Sequence, residues 1–238
     1  MYTRFILLFS ILFSTTVTFG QENQNYERNT PVFTDIISSG KVRSSFTIMS
    51  DPFKEKLKKY DGTPYMDEDF EPAEIKVKFN NEPARNLKMR YNVYAQQFEI
   101  KTDEQLYGMT KTEKVDYVKV GSRKFIFAKE NNNLQVFELL TNEGHARLLL
   151  KHTCIFKPSN YNAALDAGNR NPYFYHDNNY YLQLGEEEPF EIKQRRKKVI
   201  SALGSKQDEI KNYFKSNNLS AKNEKDLIKV IHHYNDIL

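Results

Sequence analysis

Apolar and polar residues alternate in segment after segment between Val42 and Leu184, and a period of two at these lengths is the signature of half-buried strands. Val42, Ser44, Phe46 and Ile48 share one face. Ile75, Val77 and Phe79 share another, with Lys76 and Lys78 opposite, and after the break at NNEP (80–83) Leu87, Met89, Tyr91 and Val93 share a third. Between the first two runs, DPFKEKLKKYDGTPYMDEDFEP has turn signals at Asp61-Gly62 and Pro64 and one helical turn around Phe53 to Leu57, and it reads as a loop. KVDYVKV and RKFIFAKE flank the turn Gly121-Ser122, LQVFELL and RLLLKHTCIF flank a turn at 142–144, and YYLQLG (180–185) is a last short strand. Strands that follow one another over such short links form an antiparallel meander, folded as a sandwich or a roll.

The stretch RYNVYAQQFEIK (90–101) crowds polar side chains between apolar ones. A hairpin explains it. With Phe98 and Ile100 opposing Val93 and Tyr91, the residues Arg90, Asn92 and Glu99 fall on the solvent side of a strand pair rather than lining a catalytic site. The turn is unusual, because neither Ala-Gln nor Gln-Gln is a favoured two-residue loop.

Beyond Pro189 the period lengthens to that of helices. Val199, Ile200 and Leu203 form the inward side of a first helix stopped by Gly204. Ser205 is placed to cap a second, which has Asp208 and Glu209 near its start and Ile210, Tyr213 and Phe214 on its apolar side. Leu227, Ile228, Ile231, Tyr234 and Leu238 stripe a third. The fold class is therefore mainly β, with a short C-terminal α-helical tail. Residues 31–190 are expected to form the antiparallel β domain and 191–238 the tail.

The first twenty residues, MYTRFILLFSILFSTTVTFG, set one early charge, Arg4, before an apolar stretch too short to span a bilayer, and end in small residues. They read as a secretory signal peptide cleaved after Gly20, followed by a disordered lead-in over 21–30. The rest of the chain holds no apolar run long enough for a transmembrane helix. The single cysteine, Cys154, excludes an internal disulfide, so stability rests on burial, much of it by the 17 Phe and 15 Tyr. Charge is divided unevenly. Residues 191–238 hold eleven Lys or Arg against six Asp or Glu, a net of +5, whereas 21–190 hold 23 against 25, a net of −2. An exported basic tail meets anionic lipid head groups or an acidic envelope protein rather than nucleic acid.

Few residues suggest chemistry. His152 and Cys154 alternate on one strand with His176 downstream, but metal sites pair their ligands more closely, and a buried cysteine beside an ordinary strand histidine accounts for them. No nucleotide-binding, serine-hydrolase or metalloprotease motif is present, and no catalytic residue, metal or cofactor is assigned. Two stretches suit binding. The predicted loop 157–184 carries Tyr161, Arg170, Tyr173 and Tyr175 among asparagines, which suits a glycan or a peptide, or else a loop pinned to the sheet by its own rings. Arg195, Arg196, Lys197 and Lys198 are consecutive, so on a helix they spread around the axis and offer a basic surface.

In layout, the signal peptide, RYNVYAQQFEIK, KVDYVKVGSRKFIF, YYLQLG and the tail from KQRRKKVISALG to LIKVIHHYN resemble small exported proteins of unknown function common in Bacteroidetes. That resemblance implies a cell-envelope destination, in the periplasm or at the outer membrane, and supplies no catalytic residues. The expected function is a non-catalytic binding or scaffolding module of the envelope. The alternative is an exported hydrolase whose site is assembled from dispersed residues.

Overall fold

A computed structural model describes residues 43–49, 59–103, 105–141 and 144–238. The expected signal peptide, the lead-in, the alternation at Val42 and the helical turn at Phe53 to Leu57 lie outside the described residues. A 3-10 turn at Arg43–Ser45 leads into the strands β1 (Phe46–Met49), β2 (Glu71–Val77), β3 (Ala84–Asn92), β4 (Gln97–Lys101), β5 (Leu106–Met109) and β6 (Val115–Val120). These are followed by β7 (Arg123–Glu130), β8 (Asn133–Leu139), β9 (Ala146–Lys157), β10 (Tyr173–Leu184) and β11 (Phe190–Glu191). The chain ends in three helices, α1 (Arg196–Ala202), α2 (Gln207–Ser216) and α3 (Glu224–Asp236). The protein is mainly antiparallel β with a short C-terminal α-helical tail.

The strands join in one antiparallel sheet in the order β1-β5-β4-β3-β2-β6-β7-β8-β9-β10-β11. β3 to β5 meander away on one side of β2, and β6 returns to pair along its other side. The link from β5 to β6 spans only residues 110–114, yet three strands lie between them. On a flat sheet it would have to cross roughly 19 Å almost fully stretched. Curling removes that demand and encloses a core. Ile75, Met89, Phe98, Ile100, Met109, Val118, Phe125 and Val136, drawn from β2 to β8, meet in one buried cluster, with Tyr91 stacked on Phe98 at 4.7 Å.

The 90–101 hairpin forms with its register shifted by two residues from the expected pairing: Tyr91 faces Phe98, and Arg90 faces Glu99. Its turn runs over Val93 to Gln96, with Gln96 at φ 53 and the Ala95 N–H donating to Asn92 Oδ1. The expected solvent side is in fact buried. Glu99 is 2 % exposed and Asn92 8 %, because the segment Tyr65–Phe70 lies over them. Tyr65 bridges to Asn92, and the Arg90 guanidinium sits between the rings of Tyr65 and Phe70, 3.8 and 4.5 Å from their centroids. Arg90 Nε and Nη2 both donate to Glu99 Oε2, Nη2 also reaches Tyr65 Oη, and Asn92 Nδ2 donates to Glu99 Oε1.

The tail is docked. Val199, Leu203, Ile210, Phe214, Leu227 and Ile231 form a second core with Ala146 and Leu148 of β9 and Leu182 of β10. Gly204, at φ 74, ends α1 as expected. Ser205 does not cap α2: its hydroxyl meets Tyr234 Oη at 3.0 Å, and Lys206 takes the N-cap position at φ 58. Asn223 caps α3 by accepting from the Asp226 N–H. Leu238 lies exposed, beyond the stripe that Leu227, Ile231 and Tyr234 bury.

Candidate functional site

β9 and β10 pair over twelve residues each, from Ala146–Leu184 to Lys157–Tyr173. β8 joins β9 only at Glu138–Leu150 and Leu139–Leu149, so the far half of the β9–β10 ribbon runs on beyond that ladder. This corrects the reading of 157–184 as a loop. Tyr173 and Tyr175 are strand residues, and the irregular link is confined to 158–172. Amide-rich sequence such as HDNN has low strand propensity, but the continuous partner strand fixes its backbone.

Both faces of this ribbon end carry apolar side chains. On one, Ile155 and Tyr175 are direct cross-strand neighbours, 52 % and 45 % exposed, and the Lys157 ammonium lies 4.3 Å from the Tyr175 ring centroid. On the other, Phe156 and Phe174 pack at 5.2 Å, and Tyr60 and Tyr94 add edge contacts to the pair. A strap over Tyr60–Met66 holds this second face. The Phe174 N–H donates to Asp61 O, and the Val93 N–H to Pro64 O, so the strap ties the ribbon to β3. Gly62 is required where the strap touches β10: it stands at φ 75, and a Cβ there would lie 3.0 Å from Phe174 O.

The link 158–172 organises itself. Tyr161 Oη donates to Asp166 Oδ1 at 2.6 Å, Arg170 Nη2 donates to both, and the guanidinium lies 4.7 Å from the Tyr161 centroid. The Tyr161 and Arg170 contacts together hold the Asp166 carboxyl below its usual range. Tyr161 and Arg170 therefore bind each other, although Arg170 stays 72 % exposed, Tyr173 is half-buried, and Tyr175 stands open on the ribbon face.

His152, Cys154 and His176 share the strap-side face, each with its own partner. His152 Nε2 meets Glu138 Oε2 at 2.6 Å and its Nδ1 meets Asn178 Oδ1 at 2.9 Å. His176 Nε2 donates to Thr63 O at 2.6 Å, since a carbonyl can only accept. Burial pushes the Cys154 thiol up to about 11, so it stays protonated near neutrality and is a poor nucleophile. Among the described residues no group of His, Cys, Asp or Glu is arranged to hold a metal, and no helix is long and apolar enough to cross a membrane.

The basic run belongs to the other end of the ribbon, where Val199 packs with Leu182, seven strand residues or roughly 23 Å along β10 from Tyr175. Arg196 is engaged: Nη2 donates to Leu219 O at 2.8 Å, and the guanidinium lies 5.3 Å from the Phe214 centroid. All four side chains of the run are exposed, Arg196 included. Sequence reasoning passed over Ile155, Phe156, Tyr60 and Tyr94 as parts of this site. Alternation in HTCIFK marks which side each residue takes, but not that both sides stay accessible. No family model, curated protein or solved structure matches this chain.

Proposed function

We propose that the protein is an exported, non-catalytic binding module of the cell envelope that seats a partner protein on the far end of the β9–β10 ribbon. The observation that carries this is the exposed Ile155–Tyr175 pair backed by the Phe156–Phe174 pile. A ribbon ordinarily wets one face, and contiguous exposed aromatic and aliphatic side chains beside a lone cation have the composition of protein-contact surfaces. A peptide or protein fits better than a glycan, because the Tyr161 hydroxyl and Arg170 Nη2, the groups best suited to a sugar, already bond each other and Asp166 within their own link. The sequence of residues 1–20 supports the exported destination.

The variant Ile155→Ser/Tyr175→Ser should keep the wild-type melting temperature, since both side chains are half open to water. It should lose tenfold or more of its retention of the envelope partner, in keeping with the ~2 kcal/mol that buried interface anchors contribute. Equal retention by both proteins would remove the ribbon end from the binding surface.

The basic run supplies a second, weaker contact with anionic lipid head groups or an acidic envelope protein. Because Arg196 is occupied internally, the contact rests on Arg195, Lys197 and Lys198, each contributing on the order of 1 kcal/mol near an anionic surface. Replacing those three by glutamine should leave the fold intact and abolish low-salt retention on anionic vesicles. In the wild type the same retention should fade as the screening length drops to about 10 Å at 0.1 M salt. Retention that ignores both salt and the substitutions would end this part of the reading.

A further inference from the structure

A groove of about 500 Å³ opens on the face of β9 and β10 that points away from the helices. Its position follows from strand alternation: Ala146, Leu148 and Leu182 face the tail, so Arg147 and Gln183, paired across the two strands, face the other way. Ile126, Ala128 and Leu134 give it an apolar floor. The turn Glu186–Pro189, between β10 and β11, forms one wall, and Glu113, Asp116 and Lys129 contribute to the lining.

Gln183 is the telling residue. It is only 7 % exposed, and its Nε2 donates to Glu187 O at 2.9 Å, which fixes which way round the amide sits. The amide oxygen is thereby left as the free end, and Oε1 is buried with no hydrogen-bond partner. A buried acceptor without a donor is costly and uncommon, so its persistence points to a donor that arrives from outside. The surrounding charge says what kind. The five acidic groups that line the groove outnumber the three basic ones, and Lys129 is already paired with Glu113 at 2.8 Å. Glu186 and Glu187 make no ion pair among the described residues. A bare metal ion fits poorly, because no metal-binding cluster is arranged among the described residues, and neither the volume nor the apolar floor is needed for one.

We infer that this groove binds an organic ammonium group on an aliphatic chain, with the alkyl part over Ile126 and Ala128 and the N–H groups directed to Gln183 Oε1 and the Glu186–Glu188 turn. Two sources carry that chemistry, a free diamine and the lysine side chain of a peptide. The site is separate from the ribbon end, and its test does not depend on any partner retained there.

Titration of the whole protein with cadaverine, with a short lysine-containing peptide, with pentanol and with calcium chloride, followed by the side-chain amide signals of Gln183, decides the matter. Saturable shifts with cadaverine or the peptide, absent with pentanol and calcium, are expected, and the tighter of the two names the source. Gln183→Leu, which removes the orphan acceptor at similar volume, should weaken binding tenfold or more, as a lost hydrogen bond to a charged group does. Glu186→Gln/Glu187→Gln, changed only at the exposed turn, should weaken it as well without altering the melting temperature. Absence of saturation with both amines, equal shifts with calcium, or unchanged affinity in the turn variant would overturn the assignment.

Discussion

Replacing Arg90 by methionine should lower the melting temperature by roughly 10 °C, which is what losing one partner of a buried ion pair, about 3–5 kcal/mol, does to a chain of this size. The expectation rests on how completely the pair is enclosed. The Arg90 side chain is 12 % exposed and that of Glu99 2 %, and the guanidinium makes two contacts to one carboxylate oxygen while lying between two rings. Methionine fills much of the space but leaves Glu99 charged in the interior with Asn92 Nδ2 as its remaining side-chain donor, and it strips Tyr65 Oη of the Arg90 contact. Converting both members, Arg90→Met with Glu99→Leu, removes the stranded charge, so the double variant should recover most of the loss. Thermal unfolding of wild type, the two single variants and the double variant forms a complete cycle. A single Arg90→Met variant that melts within a degree or two of wild type would show that the pair is solvated rather than buried.

The same hairpin shows where sequence stops specifying structure. Period two correctly assigns Leu87, Met89, Tyr91 and Val93 to the buried side, because a strand's alternate side chains have no other choice. It cannot state whether the opposite side meets water. That depends on Tyr65 and Phe70, some twenty residues upstream, in a stretch whose turn residues announce only irregular backbone. Register was missed for a related reason: the positive φ falls on Gln96, a residue that rarely signals it, whereas the β6–β7 turn, with Gly121 at φ 57, was legible. Gln183 is the sharpest case. In YYLQLG it occupies a polar position of an alternating strand and reads as solvent-facing, yet it is buried by its neighbours and holds the turn carbonyl of Glu187, so a fold-dependent burial made a site where pattern showed none. Of the basic run, composition revealed the charge, but only the fold shows that Arg196 alone of the four is held by Leu219 O and the Phe214 ring.

A chain ended at Pro189 should lose cooperative unfolding, although composition sets the tail apart as a basic appendage. The second core explains why. The helices supply most of its side chains, but Ala146, Leu148 and Leu182 of the two longest strands are fully buried only because α1 to α3 cover them. Uncovering the two leucines alone forfeits about 1.5–3 kcal/mol each, together a large part of the 5–15 kcal/mol that holds a typical domain folded. The tail also pins β9 through its backbone. The Asn235 amide accepts from the Ala146 N–H at 2.8 Å and donates to Ala146 O at 2.9 Å, and Gly144, at φ 106, leaves the room this amide needs. Truncation therefore exposes an apolar face and frees the start of the ribbon in one step, and the expected product is an aggregating species whose far-ultraviolet strand signal fades without a sharp transition. Phe214→Ala isolates the packing part of this effect. Phe214 is wholly buried beneath Arg196, so the cavity should cost about 3–5 kcal/mol, roughly 10 °C, while cooperativity survives. A truncated chain that stays monomeric by gel filtration and melts sharply near the wild-type temperature would show that the sheet needs no help from the helices, and would assign the paired hydrogen bonds of Asn235 and Ala146 to docking alone.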